Sequence, residues 1–142
     1  MPAQPADLEG VPLFGGLSQR QLRRLGRDFK ERSFRPGTAI VRQGHMSGVD
    51  FFVIVEGEVS VSVDGKDVAR LGPGDHFGEL ALIGERERTS TVTAIGPVRC
   101  VSMASWHFRR FVKANPDAAW KLLQHLVELL GEKERRGGSG KR

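Results

Sequence analysis

The chain has 142 residues and a net charge of +5, with 22 lysines and arginines against 17 acidic residues. This length suits one domain with a single core, and one cysteine, Cys100, excludes an internal disulfide. No apolar run approaches the ~20 residues that span a bilayer, and the N-terminus lacks a signal-peptide pattern. We therefore expect a cytoplasmic protein without a membrane segment, in which Cys100 is a buried small hydrophobe.

The helical signals begin after a short lead-in. Residues 1–10 are rich in proline and alanine without periodicity, so they are predicted to be flexible. Residues 11–31 are predicted to form an N-terminal helical segment that starts with an apolar patch docked on the core. Its helix is predicted to begin after Ser18, a typical N-cap residue. Three apolar residues follow at helical spacing: Leu22, Leu25 and Phe29.

From residue 32 to residue 103 the apolar period changes to two. Three valines of one predicted strand alternate with serines, and Asp64-Gly65 predicts a tight two-residue hairpin turn after it. Short strands separated by glycine turns are typical of an antiparallel roll or barrel. The predicted fold class is therefore α+β: an antiparallel β-roll of the jelly-roll type, flanked by an N-terminal helix and by helices at the C-terminus.

Helical periodicity returns in residues 104–136. Ser105 is predicted to cap one helix, and Pro116 fits the first turn of the next. The last helix carries a wide apolar face, which includes Trp120 and Leu123; one side of it is expected to cover the roll and another to meet a partner. Residues 137–142 have linker composition and are predicted to be a flexible tail.

The most informative stretch is residues 77–94. Gly78 allows close approach of the backbone to a ligand, and the backbone amides at a helix start near Glu79 attract an anion such as phosphate. Arg88 follows at the mouth of a strand, where its guanidinium favours the same anion. A carboxylate that accepts from a hydroxyl, together with an arginine, suits a phosphorylated sugar. The alternative is a Glu79–Arg88 ion pair that braces a turn.

The residues of this stretch resemble a motif of a known protein family. Phe77-Gly78-Glu79-Leu80-Ala81-Leu82-Ile83, a four-residue spacer and then Arg88-Thr89-Ser90-Thr91-Val92-Thr93-Ala94 closely resemble the phosphate-binding cassette of cyclic nucleotide-binding domains. This family includes catabolite activator proteins and protein kinase A regulatory subunits. The resemblance covers most of the chain: residues 55–59 look like a strand of the family's roll, and the last two helices look like its hinge and lid helices. It implies one such domain over residues 11–136.

The resemblance also implies roles for individual residues. Glu79 would accept from the ribose 2′-hydroxyl and Arg88 would pair with the cyclic phosphate. Trp120 or Leu123 would close over the base as a lid, although core packing is the alternative for Trp120. The implied ligand-binding set is Phe77, Gly78, Glu79, Leu80, Ala81, Arg88, Thr89, Ser90, Val61 and Val68.

We therefore predict a sensor module, not an enzyme, that binds cAMP and relays occupancy through its C-terminal helices. Thr89 leaves cGMP open as the ligand. No catalytic group, metal site or further cofactor is expected, because His45, His76, His107 and His125 are scattered and His76 suits a surface turn. The expected partners are the nucleotide and either a second copy along the last helix or an effector.

Three alternatives remain at this stage. The first is a degenerate roll that binds no nucleotide and serves as a structural or dimerisation module. The second is the regulatory domain of a larger channel or enzyme. The third is a nucleic-acid binder that uses the basic clusters at the two ends of the chain; the absence of a recognisable reading helix disfavours it.

Overall fold

The computed structural model describes residues 2–45, 50–79 and 88–137. These residues form two four-stranded antiparallel sheets, with order β1-β8-β3-β6 in the first and β2-β7-β4-β5 in the second. The predicted α+β fold with an antiparallel roll is confirmed. The strands are β1 (Phe29–Phe34), β2 (Ala39–Val41), β3 (Asp50–Glu56), β4 (Val59–Val63), β5 (Lys66–Leu71), β6 (His76–Phe77), β7 (Thr91–Ala94) and β8 (Val98–Ala104).

Within the described residues, the helices whose bounds are defined lie at the two ends of the chain. They are α1 (Pro5–Leu8), a 3-10 turn (Pro12–Phe14), α2 (Gln19–Gly26), α3 (Ser105–Ala114) and α4 (Pro116–Gly137). Ser18 caps α2 as predicted, since its hydroxyl accepts from the Gln21 amide at 3.1 Å. In the part of the chain that is described, no helix is long and apolar enough to cross a membrane.

The lead-in, predicted to be flexible over residues 1–10, packs against the core in its described part, residues 2–10. Leu8 is completely buried and Ala3 is only 5% exposed, both within the core under the helices. The Ala3 amide donates to the Gly26 carbonyl at 3.1 Å, which ties the segment to the end of α2. A four-residue helix is too short to show a helical period in the sequence. Single buried residues anchor this segment, and the hydrophobic pattern does not identify them.

Two element boundaries differ from the expectation, and one turn agrees with it. Phe29 does not continue α2; it opens β1 and pairs with Met103, so the roll begins before residue 32. Ser105 is the first residue of α3 and not its N-cap. The N-cap is Ala104, which makes no side-chain hydrogen bond to the helix. The hairpin at Asp64-Gly65 is confirmed, with φ of 53° and 82° at the two residues.

Strand β3 lies inside the first sheet and is buried on both faces, which explains its continuous apolar run. Phe51 and Val53 face the helices, whereas Phe52 and Ile54 face the second sheet. A strand covered on both faces loses the alternation seen in a half-exposed strand. Cys100 lies between the sheets and is fully buried, and this burial raises the pKa of its thiol to about 12.

Helix α4 has two different sides. Ala118 and Leu122 are buried against the rest of the molecule. Trp120 is 63% exposed and Leu123 is 53% exposed, so the core-packing alternative for Trp120 is wrong. Val127 and Leu130 extend this exposed apolar stripe toward the end of the helix.

Candidate functional site

The site lies where the chain leaves the first sheet and enters the second. Strand β6 pairs with β3, Phe77 opposite Phe52, and the chain continues through Gly78 and Glu79. Phe77 is 5% exposed and stacks on Phe52 with ring centroids 4.9 Å apart. Phe77 therefore belongs to the core between the sheets and holds the backbone that follows it.

Gly78 occupies a position that only glycine fits. Its φ is +99°, a left-handed conformation that a side chain disfavours. A Cβ there would lie 2.6 Å from the Asp50 carbonyl oxygen and 3.0 Å from Nη1 of Arg88. The missing side chain lets the Gly78 backbone, β3 and the arginine approach one another.

Arg88 is held at both its backbone and its side chain. Its amide donates to the His45 carbonyl at 3.0 Å, and its carbonyl accepts from the Gly44 amide at 2.9 Å. Nη1 donates to the Gly78 carbonyl and Nη2 to the Asp50 carbonyl, each at 3.1 Å. These four bonds fix the direction of the guanidinium before any ligand arrives.

The guanidinium of Arg88 is a buried charge, since the residue is only 4% exposed. Burial lowers its pKa below the ordinary value, and the negative charges of Asp50 and Glu79 oppose that shift. An arginine remains protonated under such conditions, because its pKa starts above 12. A fixed cation with limited access to water is well suited to bind an anion.

Glu79 is equally buried, at 4% exposure. Its Oε1 lies 2.9 Å from Nδ1 of His76 and 3.1 Å from Nε2 of His125. Burial alone raises the pKa of this carboxyl, but the contacts with His125 and His76 outweigh it and lower the pKa to about 2. Glu79 is therefore an ionised acceptor at neutral pH.

The two histidines correct the sequence analysis. His76 was predicted to be a surface turn residue, but it lies in β6 with its side chain 13% exposed. Its ring centroid is 5.3 Å from that of Phe51 and 5.0 Å from that of His125. His125 comes from α4, and hydrogen bonding to Glu79 raises its pKa.

The contact between His125 and Glu79 joins the final helix to the roll. It was missed because His125 is far from Glu79 in the sequence and only the packing of α4 brings the two together. The spacing of His76 and Glu79 was the one local signal: three residues apart, on either side of a glycine that turns the chain.

The other predicted residues lie at varied depths. Thr89 is exposed and Ser90 is half-buried, next to Arg88 along the chain. Val61 and Val68 are half-buried on the adjacent strands β4 and β5. The predictions for Leu80 and Ala81 fall outside the described residues.

This geometry places a buried carboxylate, which accepts hydrogen bonds, and a buried guanidinium within one short segment. Each of the two charges engages its own set of partners: histidines around Glu79 and backbone carbonyls around Arg88. A ligand with a hydroxyl at one end and an anionic group at the other has complementary chemistry. The described residues thus support recognition of a polar, anionic small molecule.

Comparison with known protein families points to a specific class. The model of the cyclic nucleotide-binding domain family matches residues 31–115. The cAMP-dependent protein kinase regulatory subunit of Mycosarcoma maydis is 34% identical over 134 residues, which is 88% of this chain and 25% of that protein. The subunit of the same name from Dictyostelium discoideum is 37% identical over 111 residues, or 72% of this chain and 34% of that protein. The chain thus spans about a quarter to a third of these relatives.

Solved structures agree with this assignment. The regulatory domain of Toxoplasma gondii PKA, crystallised with cAMP, has a TM-score of 0.75 and 26% identity, over 88% of this chain and 48% of that one. The Thermus thermophilus catabolite activator protein has a TM-score of 0.76 and 27% identity, over 86% of this chain and 59% of that one. The roll and its flanking helices are common to these proteins.

Proposed function

The chain belongs to the cyclic nucleotide-binding domain family, and we propose that it is a sensor module that binds cAMP. In this proposal Glu79 accepts a hydrogen bond from the ribose 2′-hydroxyl, and Arg88 pairs with the cyclic phosphate. The backbone of Gly78 contributes to the same site, and Leu80 and Ala81 are proposed to belong to the same ligand-binding set. The module regulates other activities and performs no catalysis of its own.

The observation that carries this proposal is the pair of buried, ionised side chains within the cassette. Glu79 and Arg88 are each 4% exposed. Burying one charge costs several kcal/mol unless it is compensated, so a fold retains such groups when neighbours or a ligand stabilise them. Their opposite signs match the two ends of a cyclic nucleotide: a hydroxyl donor on the ribose and an anionic phosphate.

The proposed base preference is for cAMP, with cGMP as the second ligand. The relatives from Mycosarcoma maydis and Dictyostelium discoideum are named for dependence on cAMP. Thr89 is exposed beside Arg88, where its hydroxyl is available to the 2-amino group of guanine. Val61 and Val68 are proposed as the apolar wall for the base, and Ser90 as a further contact to the phosphate.

Occupancy is proposed to reach α4 through Glu79. His125 of α4 and the ribose hydroxyl would compete for the same carboxylate, so nucleotide binding favours an arrangement in which His125 has left Glu79. Ligand shifts such an equilibrium only through its different affinity for the two arrangements. Trp120 and Leu123, exposed in the arrangement described here, would close over the base in the other one.

The output is proposed to be a protein contact. The exposed stripe of α4 offers Trp120, Leu123, Val127 and Leu130 for a second copy of the chain or for an effector protein. Spacings of three and four residues along a helix form the seam used in helix pairing. A cytoplasmic location would keep the single thiol, Cys100, reduced.

The test is calorimetric titration with cAMP, cGMP and, as a matched non-cyclic ligand, 5′-AMP. We expect saturable binding of the cyclic ligands, tightest for cAMP. Arg88→Ala should weaken binding by about 10- to 100-fold, because a hydrogen bond to a charged group contributes about 1.5–3 kcal/mol. Arg20→Ala, which removes an exposed arginine of α2, should bind like the wild type. Absence of saturable binding for both cyclic nucleotides refutes the proposal and favours a non-binding structural roll.

A further inference from the structure

Three potential metal ligands meet beneath α4. One nitrogen from each of His76 and His125 and one carboxylate oxygen of Glu79 lie within 4.8 Å of one another. Within residues 2–45, 50–79 and 88–137, this is the only group of three such side chains brought together in this way. The histidines come from β6 and α4, so the cluster spans the junction between the roll and the final helix.

The chemistry of this group suits a divalent transition-metal ion such as zinc. Two imidazoles and one carboxylate are the donor set of several zinc sites, and three protein ligands leave a fourth position for water or another ligand. Zinc bonds of about 2.0–2.1 Å place neighbouring donors roughly 3.3 Å apart in a tetrahedron. The two contacts to Oε1, at 2.9 and 3.1 Å, are within a few tenths of an ångström of that separation, and the third separation, between the two nitrogens, is within 4.8 Å.

A second observation concerns His76. Its Nδ1 is buried and, in the part of the chain that is described, has no hydrogen-bond partner with suitable geometry, although Oε1 of Glu79 is only 2.9 Å away. A buried polar atom whose near partner is poorly aligned keeps only part of the bond that would replace its water. A shared cation would satisfy Nδ1 and Glu79 together, and the ring is already held by Phe51 and His125.

We propose that His76, Glu79 and His125 form a binding site for a divalent transition-metal ion, with zinc as the best match. A bound ion would fasten α4 to the roll through His125. It would also occupy the carboxylate that, under the proposed function, the ribose hydroxyl requires. This second consequence rests on the proposed function: zinc and cyclic nucleotide should exclude each other from Glu79.

The first experiment measures metal binding without any nucleotide. The full chain, freed of metal with a chelator, is titrated with Zn²⁺ by calorimetry and against a chromophoric zinc chelator at neutral pH. We expect one ion per chain, with affinity at least about 10-fold lower in His125→Ala and in Glu79→Gln, as loss of a direct ligand should exceed the effect of outer-shell changes. His107→Ala, which removes a half-exposed histidine of α3 outside the cluster, should bind like the wild type.

A wild-type measurement guards against variants that fail to fold. Co²⁺ should give the intense visible absorption of a four-coordinate site, and added Zn²⁺ should abolish it. The proposal is overturned if cobalt shows only the weak spectrum of the hydrated ion, or if His125→Ala and His107→Ala bind zinc equally well.

The second experiment tests the competition with nucleotide. Saturating Zn²⁺ should weaken cAMP binding by at least about 10-fold, and a chelator should restore it. Zinc binding with unchanged cAMP affinity would overturn the competition. Normal cAMP binding without zinc binding would overturn the metal site alone, whereas zinc binding without cAMP binding would overturn the proposed function and leave the metal site in place.

Discussion

Replacing His125 with alanine should strengthen nucleotide binding. In the arrangement described here Nε2 of His125 lies 3.1 Å from Oε1 of Glu79 and occupies the acceptor that the ribose needs. Alanine removes this competitor without disturbing the helix, because it has the highest helix propensity. The carboxylate then has one partner fewer in the free protein and gains more from the ribose hydroxyl.

The size of the effect follows from the bond that ligand must replace. A hydrogen bond to a charged group is worth about 1.5–3 kcal/mol, and 1.4 kcal/mol corresponds to a factor of 10 in affinity. His76 remains in contact with Glu79 in the variant, so the lower end of the range applies. We expect a dissociation constant for cAMP about 10-fold lower in His125→Ala than in the wild type.

The assay is calorimetry at neutral pH with a chelator present, so that metal does not contribute. Gln124→Ala is the matched control, since Gln124 is the exposed neighbour of His125 on α4. The control should bind like the wild type. Equal or weaker binding by His125→Ala would refute the reasoning, because it would mean that His125 does not compete with ligand.

Three further predictions concern the site and the core. Gly78→Ala should destabilise the fold by about 1–3 kcal/mol and weaken cAMP binding, because its Cβ would meet the Asp50 carbonyl; in chemical denaturation the control Gly37→Ala, with similar φ but open space, should lose less. Acid should destabilise the wild type between pH 4.5 and about 2: the lowered pKa of Glu79 contributes stability above pH 4.5, up to about 3 kcal/mol, and Glu79→Gln should flatten that limb of a pH–stability curve. Cys100 should resist a thiol reagent at pH 8 until denaturant is added, because burial raises its pKa to about 12; fast labelling of the native protein would contradict its position between the sheets.

Much of the fold was predictable from local signals. Strand alternation, glycine turns and the Ser18 cap identify elements because each depends on a few neighbouring residues. The errors occurred where long-range packing decides. Phe29 fits the helical spacing of α2 equally well, and its pairing with Met103 in β8 selects the strand.

The same distinction applies to the site. Gly78, Glu79 and Arg88 form a compact pattern in the sequence, and the structure adds why glycine is required and what aligns the guanidinium. His125 had no local signal, because its contact with Glu79 depends on how α4 returns across the roll. The contact between the Glu79 carboxylate and α4 is therefore visible only in the folded structure.

The length of α4 has a mechanical consequence. The helix runs without a break for 22 residues, through Gly131 and on to Gly137. Gly137 lies about 18 Å beyond His125 along the helix axis, at 1.5 Å per residue. A rotation of about 10° at the Glu79 contact would displace that end by about 3 Å, as a rigid lever of this length must. Exchange of a single hydrogen bond at Glu79 could thus move the distant end of α4 by several ångströms.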